Sequence, residues 1–230
     1  MKLYLSSLLI GDHADVLLEM AGGLGARMAV VTNALDYIPV EAQLAFARAE
    51  FDPLIYFGDL GFDPSLIDLR NYFGRPADLQ KVVLRHRVVW ALGGNAFLLR
   101  RAMRDSGFDM LIGEMRERDM VYGGWSAGAC VAGTALQPIS LMDDPSVSAV
   151  GYEPSEPIME GLGLIAGAII PHFESNHPES KAAANAVQWS IEHGIKHLAL
   201  RDGEVLVQDR DHASVLPRAV ARDVIRETRI

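Results

Sequence analysis

The residues with the clearest chemical potential lie in a run of small residues, Gly-Gly-Trp-Ser-Ala-Gly-Ala, at positions 123–129. The run contains Gly-x-Ser-x-Gly centred on Ser126, and it follows an apolar, strand-like stretch at 120–122. Where a serine occupies a tight strand-to-helix turn, side chains two residues to either side would collide with the turn, so glycines are needed there. Such a turn exposes the hydroxyl. The spacing therefore predicts that Ser126 is a nucleophile.

A serine hydroxyl is a poor nucleophile until a base removes its proton, so a histidine must lie near. Seven histidines are available, and His172 is the strongest candidate because it follows a strand-like apolar run that ends at Ile170. His177, in the polar loop beyond, is a weaker substitute. His193 and His197 are explained by a helix end, where a positive charge is favourable. We therefore predict that His172 is the base.

The base in turn needs a carboxylate that fixes its tautomer and stabilises its charged form. Asp143 and Asp144 lie between the serine and the histidine, in an Asp-Asp-Pro sequence that is also typical of turns. Asp202 and Glu204 lie after a later strand, in another plausible turn. Spacing does not choose between the two pairs, so all four carboxylates stay candidates.

A carbonyl attacked by serine becomes an oxyanion, which is stabilised by two N–H donors that are already in place. The amide of Ala127, directly after the serine, is one candidate. The amide of Gly94 is the other, because a turn without side chains lets the backbone approach a substrate closely. Residues near these turns and near the histidine supply the candidate substrate contacts, which are Gly93, Asn95, Trp125 and Phe173.

Composition excludes several other classes of protein. The 230 residues carry a net charge of −9, with no basic run longer than Arg100-Arg101, which disfavours nucleic-acid binding. The lone cysteine, Cys130, excludes an internal disulfide and a multi-cysteine metal site, and it is interpreted as a small buried residue rather than a nucleophile. A single cysteine fits a reducing compartment.

The first ten residues superficially resemble a signal peptide, but the apolar run is short and contains two serines. A buried first strand is the better interpretation. No apolar stretch approaches the ~20 residues that a membrane span needs. We therefore expect a cytoplasmic protein with no membrane and no nucleic acid as partners. The oligomeric state is not fixed by the sequence, and a homodimer is one option.

The elements that must position these residues alternate along the chain. Strands are predicted at 3–9, 28–32, 65–69, 87–92, 120–122, 164–170, 197–200, 204–208 and 214–216. Helices are predicted at 15–24, 40–49, 76–84, 96–106, 110–118 and 181–193. Continuous apolar strands alternating with helices predict an α/β fold in one domain over 1–230: a mainly parallel sheet, covered on both faces, with an antiparallel extension at one edge. The glycine-rich turns at 93–95 and 124–128 should open onto one crevice beyond the carboxyl ends of the strands.

Three motifs together resemble the peptidase E/cyanophycinase family of serine hydrolases, whose fold is similar to class I glutamine amidotransferases and flavodoxin. They are Leu-Gly-Gly-Asn-Ala-Phe at 92–97, Gly-Trp-Ser-Ala-Gly-Ala at 124–129 and Pro-His-Phe at 171–173, in the family's order. The likeness covers nearly the whole chain. It implies a Ser126 nucleophile, a His172 base and an oxyanion hole at Gly94 and Ala127. It also implies an acyl-enzyme reaction on a small peptide, without metal or cofactor.

The chain departs from the aspartyl dipeptidases of that family in one helix. Those enzymes use an arginine in the helix after the histidine to bind the substrate's aspartate side chain, whereas the helix here offers only Lys181. A lysine lacks the two-pronged geometry of a guanidinium. The family places its third triad member in different positions in different members, which matches the two pairs of candidate carboxylates. The resemblance therefore implies a dipeptidase E-like peptidase whose side-chain preference stays open.

Two other functions remain as alternatives. An esterase of the α/β-hydrolase kind is disfavoured because 58 residues follow His172, whereas that fold usually carries its histidine near the C-terminus. A binding or regulatory protein with an inactive site, on an amidotransferase-like scaffold, is disfavoured because serine, histidine and both donors are all present. Failure of Ser126 to react with fluorophosphonates would favour the binding protein.

Overall fold

Nine strands form two sheets in a computed structural model that describes residues 1–209 and 212–219. The main sheet has the order β3-β2-β4-β5-β1-β8-β9. Its first five strands are parallel, and β8 and β9 join as antiparallel strands at the β1 edge. A second sheet pairs β6 with β7, which are parallel. The fold is α/β, as the alternation of elements predicted.

The strands are three to five residues long and have these bounds: β1 Lys2–Ser6, β2 Arg27–Val31, β3 Asp63–Ile67, β4 Val88–Ala91, β5 Val121–Trp125, β6 Ala168–Ile170, β7 His197–Ala199, β8 Val205–Asp209 and β9 His212–Leu216. The α-helices are α1 Ala14–Ala21, α2 Val40–Ala49, α3 Pro53–Asp59, α4 Pro76–Val83, α5 Ala96–Ser106, α6 Ile112–Glu117, α7 Ala127–Cys130 and α8 Ser180–Glu192. Four short 3₁₀ turns accompany them, at Asn33–Leu35, Leu69–Tyr72, Phe108–Leu111 and Gln137–Leu141.

Both faces of the main sheet are buried, which explains why its central strands are apolar throughout. Successive side chains of a strand point to opposite faces. Val89 and Ala91 of β4 accordingly belong to one core cluster, while Val88 and Trp90 belong to the other. The two clusters cover the sheet from either side, as helices do in a three-layer arrangement.

Most predicted elements are present with shifts of a few residues at their ends, and α2 and α5 have the predicted bounds. The pattern missed α3, which begins at Pro53 after the capping residue Asp52. Asp52 accepts hydrogen bonds from two backbone amides, a local signal for a helix start that the sequence did contain. The strand predicted at 164–170 is shorter than expected. None of the helices in the described part of the chain is long and apolar enough to cross a membrane.

Candidate active site

Ser126 lies between the end of β5 and the start of α7 in a conformation that non-glycine residues rarely adopt. Its φ is 48° and its ψ is −116°. Its amide donates to the carbonyl oxygens of both Ser6 and Ser7 at 3.2 Å, which ties the turn to the end of the neighbouring strand β1. The Tyr122 hydroxyl donates to the carbonyl of Gly128 at 2.9 Å. The backbone around the serine is therefore held from two sides.

The flanking glycines are required by close backbone packing. A Cβ on Gly128 would overlap the carbonyl of Ala91 in β4, and a Cβ on Gly124 would lie 2.7 Å from the Gly128 carbonyl carbon. In the neighbouring turn, Gly94 has a φ of 134°, and a Cβ there would overlap the backbone of Ala34. Close packing thus requires the glycines at both strand ends, as the sequence pattern indicated.

Both glycine-rich turns line one cavity of about 440 Å³, as expected for neighbouring parallel strands. Ser126 and His172 line it together, so the turns and the histidine share one space. Ala127 is the first residue of α7, and its N–H therefore has no acceptor within that helix. Asn95 caps α5 by accepting from the amide of Leu98 at 2.9 Å. The other lining residues are Leu8, Tyr37, Gly93, Gly94, Trp125, Met142, Asp143, Asp144, Val147, His177 and Glu179.

His172 follows β6 in the small sheet, and three hydrogen bonds link it, Ser7 and Asp202 to one another. Its ring Nδ1 lies 2.8 Å from Asp202 Oδ1. Its amide donates to Ser7 Oγ at 2.7 Å, and that hydroxyl donates to Asp202 Oδ1, also at 2.7 Å. Burial alone would raise the pKa of Asp202, but the hydrogen bonds from His172 and Ser7 outweigh it and lower that pKa. A charged Asp202 therefore holds the ring with Nε2 available to the cavity.

The other three candidate carboxylates have different partners. Asp143 accepts from the amide of Ala96 at the start of α5, at 2.8 Å. Asp144 accepts from the amide and the hydroxyl of Ser146. Glu204 accepts from the amide of Arg201 at 2.9 Å. Of the four, Asp202 is the carboxylate that bonds the His172 ring.

Asp143 has the most perturbed carboxyl in the cavity. Burial raises its pKa to about 7, and the nearby charge of Glu179 acts in the same direction. The hydrogen bond from Ala96 and the proximity of His172 oppose this shift without cancelling it. A carboxyl of this kind changes charge near neutral pH, and a cation bound beside it would favour the ionised form.

The sequence patterns gave little or no indication of two cavity residues, Glu179 and His177. The ring of His177 stacks on that of His172, with centroids 3.7 Å apart and planes 10° from parallel. Glu179 Oε2 lies 3.9 Å from His172 Nε2. Burial and the neighbouring His172 lower the pKa of His177. The signal for both residues was their closeness to His172 in the chain, but no motif marks them.

Three further residues fall where packing matters more than contact with a ligand. Trp125 lines the cavity while its ring stacks on Phe57, with centroids 6.0 Å apart. The amide of Phe173 donates to the carbonyl of Leu200 at 3.1 Å, and its side chain lies outside the cavity lining. Cys130 is buried, and burial raises the pKa of its thiol well above the ordinary value. A thiol in that state is a poor nucleophile.

The fold is α/β with a serine turn at the end of a central parallel strand, and comparison with known proteins gives the family. The model of "Peptidase family S51" matches residues 43–216, which is most of the chain. The chain belongs to peptidase family S51.

Curated relatives agree with this assignment over part of their length. Peptidase E of Pasteurella multocida (strain Pm70) is 32% identical over 98 residues, which are 43% of this chain and 38% of the relative. Peptidase E of Salmonella paratyphi C (strain RKS4594) is 30% identical over 105 residues, or 46% of this chain and 42% of the relative. The chain thus matches about two-fifths of the length of these relatives.

Solved structures share the fold over nearly the whole chain. A protein from Listeria monocytogenes EGD-e assigned to peptidase E superposes with a TM-score of 0.75 at 18% identity, covering 95% of this chain and 98% of the other. A peptidase from an acI-B1 actinobacterium superposes with a TM-score of 0.66 at 17% identity, covering 95% and 88%. At such identities the likeness concerns the fold.

Proposed function

We propose that this protein is a serine peptidase that cleaves short peptides through an acyl-enzyme on Ser126. The observation that carries the proposal is that Ser126, in its strained turn, lines the same cavity as His172, whose ring is bonded to Asp202. A serine nucleophile, an imidazole base and a carboxylate that fixes the base are the three parts that acyl transfer requires. Membership of peptidase family S51 supports the same chemistry.

The reaction begins when Nε2 of His172 takes the proton of the Ser126 hydroxyl and the oxygen attacks the peptide carbonyl. Asp202 keeps the proton of His172 on Nδ1 and stabilises the imidazolium that forms. The negative charge on the carbonyl oxygen is received by the N–H groups of Gly94 and Ala127. His172 then donates its proton to the leaving amine, and a water molecule activated by the same histidine hydrolyses the acyl ester.

The charges of the cavity favour a substrate with a free amino terminus. Asp143, Asp144 and Glu179 line it, and the described lining includes neither lysine nor arginine. Lys181, the cation of the helix after the histidine, is exposed and is not part of that lining. An α-ammonium group beside Asp143 would favour the ionised carboxylate. We therefore propose cleavage of dipeptides and other short peptides from the amino end.

Ser126→Ala tests this function directly. We expect turnover of dipeptides to fall by about 10⁴–10⁶-fold, because the nucleophile acts as part of a unit. We expect a fluorophosphonate to add once to the wild-type chain and not to the variant, measured by intact mass. The peptide series pairs each dipeptide with its N-acetyl counterpart, which should be cleaved poorly.

Three outcomes would contradict the proposal. Retained turnover in Ser126→Ala, with an unchanged circular dichroism spectrum, would remove Ser126 from the chemistry. An unlabelled wild-type chain would favour an inactive binding protein. Turnover of p-nitrophenyl esters without turnover of any peptide would favour an esterase.

A further inference from the structure

Three side chains that commonly bind transition metals lie close together in the lining of the cavity. His172, His177 and Glu179 each offer one ligand atom, and these atoms lie within 4.8 Å of one another. The distance from His172 Nε2 to Glu179 Oε2 is 3.9 Å. Ligands of a tetrahedral zinc ion lie about 2.0–2.2 Å from the metal and so about 3.3 Å from one another. The three ligand atoms would have to move closer together to reach that spacing.

The surroundings of His172 already have the form seen behind zinc-bound histidines. A ligating histidine almost always donates its other ring N–H to a carboxylate or a carbonyl, which fixes the tautomer. Nδ1 of His172 lies 2.8 Å from Asp202, so Nε2 is the nitrogen left with a free lone pair. His172 is buried and held by its backbone amide as well, so this ligand is preorganised.

His177 and Glu179 would have to turn toward the ion. Stacked, nearly parallel rings aim their lone pairs side by side, so the His177 ring must leave the stack with His172 to share a metal with it. Its Nδ1 also accepts a hydrogen bond from the Glu179 amide at 3.2 Å. If Nε2 bound the ion, Nδ1 would carry the ring proton, and this hydrogen bond would be lost. Both side chains are partly exposed and lie before α8, so these are rotations at the protein surface.

We propose that His172, His177 and Glu179 form a Zn²⁺ site that inhibits the reaction at Ser126. Two imidazoles and one carboxylate suit zinc, whereas magnesium and calcium prefer oxygen ligands alone. The fourth tetrahedral position would face the cavity and hold water. The bound ion would occupy the Nε2 lone pair that must accept the serine proton, so the zinc form would lack a base.

Direct binding tests the site without depending on catalysis. Equilibrium dialysis with Zn²⁺ compares the wild type, Ser126→Ala, His177→Ala and Glu179→Gln, with His193→Ala as a matched control for zinc binding at a histidine outside the cavity. We expect one zinc per chain in the wild type, Ser126→Ala and His193→Ala. Affinity should fall about tenfold or more in His177→Ala and in Glu179→Gln, because each loses a ligand.

The rate of fluorophosphonate labelling of Ser126, measured with and without Zn²⁺, reports whether His172 is a ligand. Saturating zinc should slow labelling of the wild type about tenfold or more, EDTA should restore it, and His177→Ala should need a higher zinc concentration for the same slowing. Three results would overturn the site: no zinc bound by the wild type, equal affinity in both ligand variants and the wild type, or bound zinc without slower labelling. If labelling fails without zinc, the proposed function is wrong, and dialysis still decides whether the metal site exists.

Discussion

The two halves of the candidate site are held in place by different means. The serine turn, residues 124–128, and the neighbouring turn at 93–95 are fixed by backbone packing at the ends of adjacent strands, where glycines leave no room for a Cβ. The histidine loop, which we define as residues 171–179, is fixed by side chains from distant parts of the chain, Ser7 and Asp202. Backbone packing thus positions Ser126, together with hydrogen bonds from its amide to the end of β1, whereas side-chain hydrogen bonds position His172.

Among the changes that test this comparison, the largest expected effect comes from removing the charge that bonds the His172 ring. Asp202→Asn keeps the size of the side chain, but it replaces the carboxylate at His172 Nδ1 with an amide that favours the wrong tautomer. We expect turnover and the rate of fluorophosphonate labelling to fall about 10³–10⁴-fold with little change in the thermal midpoint. Both rates should be measured beside Glu204→Gln, which removes a carboxylate that bonds the Arg201 amide instead.

The opposite ranking of Asp202→Asn and Glu204→Gln would change the account of how His172 is held. If Glu204→Gln were the inactive variant and Asp202→Asn kept its rate, the contact between His172 and Asp202 would be structural. The base would then be oriented by something other than the carboxylate that bonds it.

Substitution of a glycine in the serine turn should instead lower the free energy of unfolding. Gly128→Ala places a methyl group against the Ala91 carbonyl, and the backbone of a packed sheet moves too little to make room for it. We expect the free energy of unfolding in urea to fall by about 2 kcal/mol or more, together with loss of labelling. Gly113→Ala is the matched control, because a Cβ at this helical position meets nothing within 4 Å. That substitution should leave stability unchanged or raise it by about 0.4–1 kcal/mol.

This contrast also explains which parts could be predicted from the sequence. The glycines around Ser126 and Gly94 are local requirements, so a short motif predicts the turn and the crevice. The contact between His172 and Asp202 depends on the parallel pairing of β6 with β7, in which Ile170 lies opposite Ala199 just before these two residues, and no local spacing encodes that pairing. The sequence therefore left two pairs of carboxylates open. Glu179 was missed for the same reason, since it becomes a cavity residue only when the loop folds back toward His172.

Asp143 lines the cavity that both halves share, and its effect should depend on pH. Its pKa is about 7 in the folded protein and 3.8 ordinarily, so the folded state binds the proton more tightly than the unfolded state. The stabilisation is complete below about pH 4 and is lost as the pH rises toward 7. Between pH 5 and pH 8 the wild type should lose about 1–3 kcal/mol relative to Asp143→Asn, measured by urea unfolding at both values.

Asp144→Asn is the control for this titration. The hydrogen bonds from Ser146 lower the pKa of Asp144, so its contribution is constant above pH 5 and falls away only at lower pH. If the wild type and Asp143→Asn kept a constant difference from pH 5 to pH 8, the carboxyl of Asp143 would titrate normally. The burial argument for it would then be wrong.

A smaller effect on the labelling rate than that of Asp202→Asn is expected at Ser7, which directly follows β1 and contacts both halves. Its carbonyl accepts from the Ser126 amide, while its hydroxyl bridges the His172 amide and Asp202. Ser7→Ala keeps the first contact and removes the second, leaving a buried N–H without an acceptor. We expect a loss of about 1–3 kcal/mol in unfolding free energy. A misplacement of the base that costs about 1.4 kcal/mol would slow labelling about tenfold.

Ser190→Ala separates this effect from the loss of any buried hydroxyl. The Ser190 hydroxyl donates to the Ala186 carbonyl within α8, so its removal leaves no donor unsatisfied and should cost little. If Ser7→Ala matched Ser190→Ala in both stability and labelling rate, the bridge to His172 would not hold the base. In that case the histidine loop would be positioned by packing, just as the serine turn is, and the contrast between the two halves would disappear.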